Sequence, residues 1–175
     1  MKKIFTLALF AFGIASALNV SAQSGDKSKR PSPPAEVSST LASGATIHIN
    51  YSQPSVKGRT IGKDLEPMNG QVWRTGANEA TVFETTKDIK INGQKLPAGK
   101  YGLFTIAGDK EWILIFNKTW DQWGAYDYKE ADDVMRVSVK ASKPAAFAEK
   151  MTFTIDKSGN IVLNWGDRSI SFKAD

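Results

Sequence analysis

A dense group of polar side chains lies among apolar residues in the stretch Gln71–Thr86, which reads QVWRTGANEATVFETT. A guanidinium, an amide and a carboxylate are costly to bury unless each finds a partner. Arg74 and Glu79 flank a predicted reversal at 75–78, and a tight turn would bring them together as a charge-assisted pair. The stretch therefore predicts either a ligand site or an internal polar lock, and the sequence leaves both open.

In the ligand-site interpretation, Arg74 binds a negative or carbonyl oxygen, because a guanidinium offers a rigid fork of donors. The other polar residues orient the ligand, and a tryptophan forms an apolar wall. The expected ligand contacts are Arg59, Trp73, Arg74, Asn78, Glu79 and Thr81. The ligand is an unidentified small molecule or glycan, and the sequence does not define the oligomeric state.

An enzymatic alternative is a hydrolase or isomerase that uses Glu79 or His48 as a base. His48 is the only histidine, and it lies within a predicted strand, where a surface position is equally consistent with the pattern. The chain has no cysteine and no Gly-x-Ser-x-Gly motif, so thiol chemistry and a nucleophile elbow are not expected. We expect no metal and no cofactor, favour a binding protein over an enzyme, and assign no catalytic residue.

A second candidate surface is the aromatic and acidic stretch 117–133, NKTWDQWGAYDYKEADD. Trp120, Trp123 and Tyr126 have the flat faces on which sugars stack, which predicts an envelope scaffold or a module that binds a glycan or protein partner. Its acids lack the regular spacing of a calcium loop. The simpler alternative is that the aromatics cap one end of the domain while the acids stay in water.

The elements that position these residues are predicted to be strands. Ile47 and Ile49 alternate with polar residues, residues 112–116 are apolar throughout and predict a central strand, and Asn92-Gly93 is a strong hairpin signal. About ten short strands without a long helical period predict one all-β domain, an antiparallel β-sandwich or flattened barrel. Residues 141–150 predict one short helical turn.

The N-terminus has the pattern of an export signal. Lys2 and Lys3 precede an apolar run of fifteen residues, too short for the roughly 20 that a spanning helix needs. Small residues then predict a signal peptide over residues 1–22, cleaved before Gln23. We expect a periplasmic or extracellular protein without a stable membrane anchor after cleavage.

The mature chain is predicted to have a flexible, polar and proline-rich segment at 23–35, followed by the β-sandwich domain at 36–175. Cleavage lowers the net charge from +5 to +3, because Lys2 and Lys3 are lost and no acid is. A mildly basic chain without a basic patch argues against a nucleic-acid partner. The longest basic grouping, Lys27–Arg30, lies in the flexible segment and predicts a solvated linker.

Three motifs resemble the bacterial family called domain of unknown function 2911. They are YSQPSVKGR at 51–59, VWRTGANEAT at 72–81 and LPAGKYGLF at 96–104. The resemblance runs from about Ser32 to Phe172 and implies an exported protein with no established activity, so it carries over no catalytic residue. The signature polar residues of that family fall on Arg59, Arg74, Asn78, Glu79 and Thr81.

Overall fold

The computed structural model describes residues 26–175. Their regular structure consists of twelve strands and two single 3₁₀ turns, Lys27–Lys29 and Glu130–Asp132. The strands, β1 to β12 in chain order, are Pro34–Thr40, Thr46–Ser52, Val72–Trp73, Thr81–Thr85, Ile89–Ile91, Gln94–Leu96, Gly99–Ile106, Glu111–Asn117, Asp133–Ser142, Ala148–Ile155, Asn160–Gly166 and Arg168–Lys173. The predicted signal peptide, residues 1–22, and its cleavage before Gln23 lie outside the described residues.

Ten of these strands form one antiparallel sheet. Its order is β1-β2-β4-β7-β8-β9-β12-β11-β10, with β3 paired beside β7, and β5 and β6 form a separate hairpin. The sheet curls until the chain beyond β2 meets β10. The N–H of Val56 donates to Glu149 C=O at 2.9 Å, and that of Met151 donates to Pro54 C=O at 3.0 Å. The predicted all-β antiparallel fold is confirmed as a nearly closed barrel in one domain.

The core fills the inside of this barrel, as the alternation in the sequence predicts. Ile47 and Ile49 of β2 are fully buried, whereas His48 between them is partly exposed. β8 lies between β7 and β9 and is buried on both faces, which confirms the predicted central strand. Side chains alternate along each strand, so every strand contributes residues to one closely packed core. This rigid frame positions the polar loops that follow β3 and β8.

Of the turns predicted from the sequence, one is confirmed and another is wrong. Asn92 and Gly93 have φ angles of 47° and 85°, which confirms the tight hairpin between β5 and β6. The helical turn predicted for residues 141–150 is wrong. Ala141 and Ser142 continue β9 by pairing with β12, β10 begins at Ala148, and the connection between them contains a bend but no helical turn. No helix within residues 26–175 has the length and apolarity to cross a bilayer.

Candidate functional site

The predicted reversal is the loop of residues 74–80, which joins β3 to β4. It folds back on itself, because the N–H of Thr81 donates to Arg74 C=O at 3.1 Å. Thr75 and Asn78 take left-handed φ angles of 55° and 57°. A Cβ on Gly76 would lie 3.0 Å from Thr81 Oγ1 and 3.1 Å from Ser52 C=O, so a side chain there would have to displace its neighbours. The loop is therefore a strained and closely fitted turn.

Two of the expected ligand contacts hold this loop from inside. Thr81 is fully buried, and its hydroxyl donates to Thr75 C=O at 2.8 Å. The Trp73 indole is buried, donates to Gly76 C=O at 3.1 Å and packs edge-to-face on Trp112, with ring centroids 6.4 Å apart. Their polar groups are satisfied by the protein, so we remove Trp73 and Thr81 from the set of ligand contacts.

Glu79 does not form the expected pair with Arg74. Its two carboxylate oxygens each accept from Arg30 Nη1 at 2.9 Å, and Lys27 Nζ lies 3.0 Å from Oε1. Both cations belong to the basic segment, which we define as residues 27–33. Their role could not be predicted from the sequence, because the only signal is a short basic grouping that is also typical of a solvated linker.

These cations determine the acidity of Glu79. Burial raises the pKa of its carboxyl, but hydrogen bonds from Arg30, from its own backbone N–H and from Lys27 outweigh burial and lower the pKa to about 2. The group is therefore ionised throughout the physiological range. A carboxylate with so low a pKa is a weak general base.

The basic segment also touches the aromatic loop and Asn78. The Arg30 guanidinium lies over the ring of Trp123, 5.7 Å from its centroid. The Asn78 side-chain amide donates to Ser32 C=O at 2.9 Å. Asn78 and Glu79 thus both face the protein's own N-terminal residues.

Arg74 is in a different situation. Its side chain is half-buried, and its Nε is buried without a hydrogen-bond partner in residues 26–175. None of the ion pairs in this part of the chain involves it. A Cβ on Gly124 would lie 2.9 Å from Arg74 Nη1 and 3.2 Å from the ring of Tyr126. The guanidinium therefore lies against the backbone at Gly124, close to an exposed aromatic ring.

Two backbone hydrogen bonds lock the loop of residues 118–128 onto the loop of residues 74–80. The N–H of Gly124 donates to Asn78 C=O at 2.9 Å, and the N–H of Ala80 donates to Gln122 C=O at 3.0 Å. Trp123 and Tyr126 are 51% and 82% exposed, so the aromatic loop displays its rings rather than capping the core. Trp120 is also exposed and lies near Lys100, whose Nζ is 5.4 Å from the ring centroid.

A buried carboxylate holds the far end of the aromatic loop. Asp133, whose side chain is 8% exposed, accepts from Arg136 Nε, Tyr128 OH and Asn117 Nδ2 at 2.7, 2.8 and 2.7 Å. Burial and the hydrogen bond to Asp133 raise the pKa of the Tyr128 phenol to about 12, so this hydroxyl stays a donor. The network fixes the strand end from which the aromatic loop departs.

Arg59 lies outside this group. Its Nε donates to Val56 C=O at 3.0 Å and its Nη2 to Ser55 C=O at 2.7 Å, so it braces its own loop. It lines a cavity of about 250 Å³ that also includes Phe147 and Arg168. Glu79 lines another cavity, of about 170 Å³, and the two have no lining residue in common. The structure therefore places Arg59 and Glu79 in different cavities, and neither Arg74 nor Asn78 lines either of them.

His48 lies on the outer face of β2. Its Nδ1 is 3.0 Å from Glu36 Oε1, and its cross-strand neighbour on β4 is Glu84. The predicted position opposite Ile47 and Ile49 is confirmed. The carboxylate beside His48 is thus Glu36 rather than Glu79.

The chain thus belongs to the class of nearly closed antiparallel β-domains, and its polar and aromatic candidate site lies on two loops joined by backbone hydrogen bonds. This chain belongs to the family described as "Protein of unknown function (DUF2911)", whose model matches residues 32–174, which confirms the resemblance carried by the three motifs. No curated protein matches the chain, and no solved structure does either.

Proposed function

We propose that this protein binds an anionic ligand on the surface between the loops of residues 74–80 and 118–128, with Arg74 as the anchor. The observation that carries the proposal is the Nε of Arg74, which is buried and without a partner in the described residues. A buried donor that is left unsatisfied costs free energy, and the cost is larger for a charged group. Because Nε itself is buried, a carboxylate or phosphate on the ligand would approach this half-buried guanidinium through its terminal nitrogens.

The charges around Arg74 support an external anion rather than an internal one. Glu79, the carboxylate nearest to it along the chain, is already engaged by Arg30 and Lys27. The guanidinium is half-buried, which strengthens its interaction with an anion relative to a fully solvated position. Its planar fork suits a carboxylate better than the compact ammonium of a lysine does.

The exposed aromatic rings indicate the chemistry of the rest of the ligand. The ring of Tyr126 is largely exposed and lies beside Gly124, the residue against which Arg74 lies. Large exposed aromatics offer flat apolar faces with polar tips, to which sugar rings and flat groups bind. An acidic saccharide combines both requirements, and we infer this ligand class rather than a nucleic acid.

An enzymatic role for Glu79 or His48 has less support. The pKa of about 2 makes Glu79 a weak proton acceptor, and two cations hold its oxygens. His48 is bonded to Glu36 on the outer face of the barrel. The proposed binding role leaves these contacts intact, whereas general-base catalysis would have to break them.

A titration followed by tryptophan fluorescence tests the anchor. A disaccharide bearing glucuronate is compared with its neutral glucose counterpart, on wild type and on the Arg74→Met variant. A charge-assisted hydrogen bond is worth roughly 1.5–3 kcal/mol, so we expect Arg74→Met to weaken binding of the acidic sugar about tenfold to a hundredfold.

The matched control is Arg59→Met, which removes the same charge from a guanidinium that braces another loop. It should leave the affinity unchanged. Equal losses in both variants, or equal binding of the neutral sugar by wild type, would overturn the proposal. We further propose that the protein is exported to the periplasm or the outside of the cell after removal of residues 1–22.

A further inference from the structure

The basic segment lies across the loop of residues 74–80 as a bound peptide would. Its anchor is Arg30, which bonds both carboxylate oxygens of Glu79 and covers the ring of Trp123. A carboxylate combined with an aromatic face is a favourable environment for a guanidinium, because it provides hydrogen-bond acceptors and a cation–π surface together. We call Asn78, Glu79 and Trp123 the guanidinium site.

Main-chain contacts continue from this anchor. The Asn78 amide donates to Ser32 C=O at 2.9 Å, and the backbone N–H of Gln53 donates to Pro33 C=O at 2.8 Å. Arg30 itself has φ −67° and ψ 149°, an extended conformation. Hydrogen bonds to the backbone carbonyls of a bound segment form whatever its side chains are, whereas the contacts of Glu79 and Trp123 require an arginine. Extended peptides are commonly recognised by this combination of main-chain bonds for affinity and a side-chain pocket for specificity.

The site is held together by contacts that do not involve the basic segment. Asn78 C=O accepts from the N–H of Gly124, and the turn that carries Asn78 and Glu79 is fixed from inside by Thr81 and Trp73. The loop therefore keeps its shape whether or not the segment is bound. A preformed site binds without first having to become ordered.

The occupant, in contrast, is held at the surface. None of the residues in the 3₁₀ turn at 27–29 is buried, and the Glu79 side chain remains 38% exposed. An exposed ion pair such as that of Lys27 with Glu79 contributes little, so the segment is held mainly by Arg30, whose side chain is 28% exposed. A loosely held segment on a preformed site can be exchanged for another segment of the same chemistry.

We propose that the guanidinium site recognises an extended peptide segment bearing an arginine, and that Arg30 is its intramolecular occupant. This inference goes beyond the anionic ligand assigned to Arg74 and does not depend on it. A peptide in trans competes with Arg30 for Glu79 and Trp123, and it places its backbone where residues 31–33 lie.

The test uses the mature chain with Arg30→Met, which removes the competing guanidinium from Glu79 and Trp123 and leaves the fold in place. The probe is the acetylated and amidated peptide KSKRPSPP, the sequence of residues 27–34, titrated by calorimetry. If Arg30 fills the site in about nine molecules of ten, the association constant of wild type equals that of the empty site multiplied by the unoccupied fraction, about one tenth. We expect wild type to bind the peptide about tenfold more weakly than Arg30→Met does.

Three matched arms decide the outcome. Lys27→Met removes the same charge but leaves Arg30 in the site, so it should bind like wild type. A peptide with lysine in place of its arginine should bind Arg30→Met at least about tenfold more weakly, because an ammonium lacks the planar fork. Adding Arg74→Met to Arg30→Met should change nothing, which separates this inference from the proposed anion site.

Adding Glu79→Gln to Arg30→Met should abolish peptide binding, with near-ultraviolet circular dichroism and the melting temperature confirming that this double variant is folded. Two results would overturn the inference. One is an Arg30→Met variant that binds the peptide no better than wild type. The other is peptide binding that survives Glu79→Gln or does not distinguish arginine from lysine.

Discussion

The two charges on the loop of residues 74–80 have opposite environments although they are five residues apart. Glu79 is neutralised by Arg30 and Lys27, whereas Arg74 has no ion pair within residues 26–175 and a buried Nε without a partner. A buried guanidinium nitrogen without an acceptor is costly for the folded protein. At the scale of single residues, the loop thus has a carboxylate that is paired with two cations and a guanidinium that has no ion pair in the described residues.

The pairing of Glu79 predicts a dependence of stability on pH. Its pKa is about 2 in the folded protein and near 4.5 without the pair, so its stabilising contribution is fully present above pH 4.5 and is lost as pH falls through 2. We expect the melting temperatures of wild type and Glu79→Gln to differ at pH 6 and to converge between pH 4.5 and 2.

The comparison with Glu79→Gln is necessary because two other carboxyls act in the same window. Hydrogen bonds from Ser28 and Asn160 lower the pKa values of Asp26 and Asp156 respectively, and both remain in the variant. A gap between the two melting curves that stays constant from pH 6 to pH 2 would contradict the assigned role of Glu79.

Gly124 is the second residue on which the site depends, because its φ of +65° and its distance from Arg74 both disfavour a side chain. We expect Gly124→Ala to cost about 1–2 kcal/mol of unfolding free energy for the left-handed backbone. It should also weaken binding of the acidic ligand, because Arg74 Nη1 has to move. Gly70→Ala is the matched control, since Gly70 has φ +74° with open space around it.

Urea denaturation measures both glycine variants. Gly70→Ala should cost about 1–2 kcal/mol for the left-handed backbone and leave ligand binding unchanged. The contact between Gly124 and Arg74 would be shown to contribute nothing to ligand binding by one result. That result is a Gly124→Ala variant that loses no more unfolding free energy than Gly70→Ala and binds the acidic sugar with wild-type affinity.

At the scale of elements, the aromatic loop is held by the polar network at the start of β9. Asp133 accepts three hydrogen bonds, one of them from Arg136. We expect Asp133→Asn to lower the unfolding free energy by about 2–3 kcal/mol, because it weakens a charge-assisted bond and leaves donors unmatched. Glu130→Gln is the control, since Glu130 lies 3.3 Å from the same arginine but is largely exposed.

The network prediction is measured by urea denaturation, with tryptophan fluorescence as the probe. The Glu130→Gln control should cost less than about 1 kcal/mol. Similar losses for Asp133→Asn and Glu130→Gln would show that burial of Asp133 contributes nothing to the loop.

Local patterns predicted the elements well but could not predict the site. Alternation at Ile47 and Ile49 and the turn chemistry of Asn92-Gly93 act over a few residues, so a single sequence contains the whole signal. Residues 141–150 were misread as helical because propensity ignores the pairing of β9 with β12. The partners of Glu79 lie 49 residues away at Arg30, and surface charges carry no periodic signature.

At the scale of the whole molecule, closure of the sheet fixes the relative positions of the loops that carry the candidate site. Residues 54–56 cross to β10, so the loops after β2, β3 and β8 belong to one rigid frame. The all-β class followed from strand count and turns, whereas the near-closure of the barrel needs pairings between distant strands that periodicity does not encode. The basic segment leads directly into β1, the first strand of the sheet.

Export is a prediction about the whole chain. Expressed with residues 1–22 in a bacterium that exports proteins, it should be recovered outside the cytoplasm with a mass that begins at Gln23, because the basic start, apolar run and small residues are those of a cleaved signal. Intact mass spectrometry of the fractions measures this. A cytoplasmic product that retains residues 1–22 would contradict it.

The chain has no cysteine, so a single thiol can be introduced anywhere without competing chemistry. Ser28 is exposed and lies within the turn that carries Lys27 toward Glu79. A dye attached to Ser28→Cys would sit within quenching range of the Trp123 indole only while the basic segment is docked. The fluorescence intensity of the dye would then report, in single molecules, how often the basic segment leaves the loop of residues 74–80.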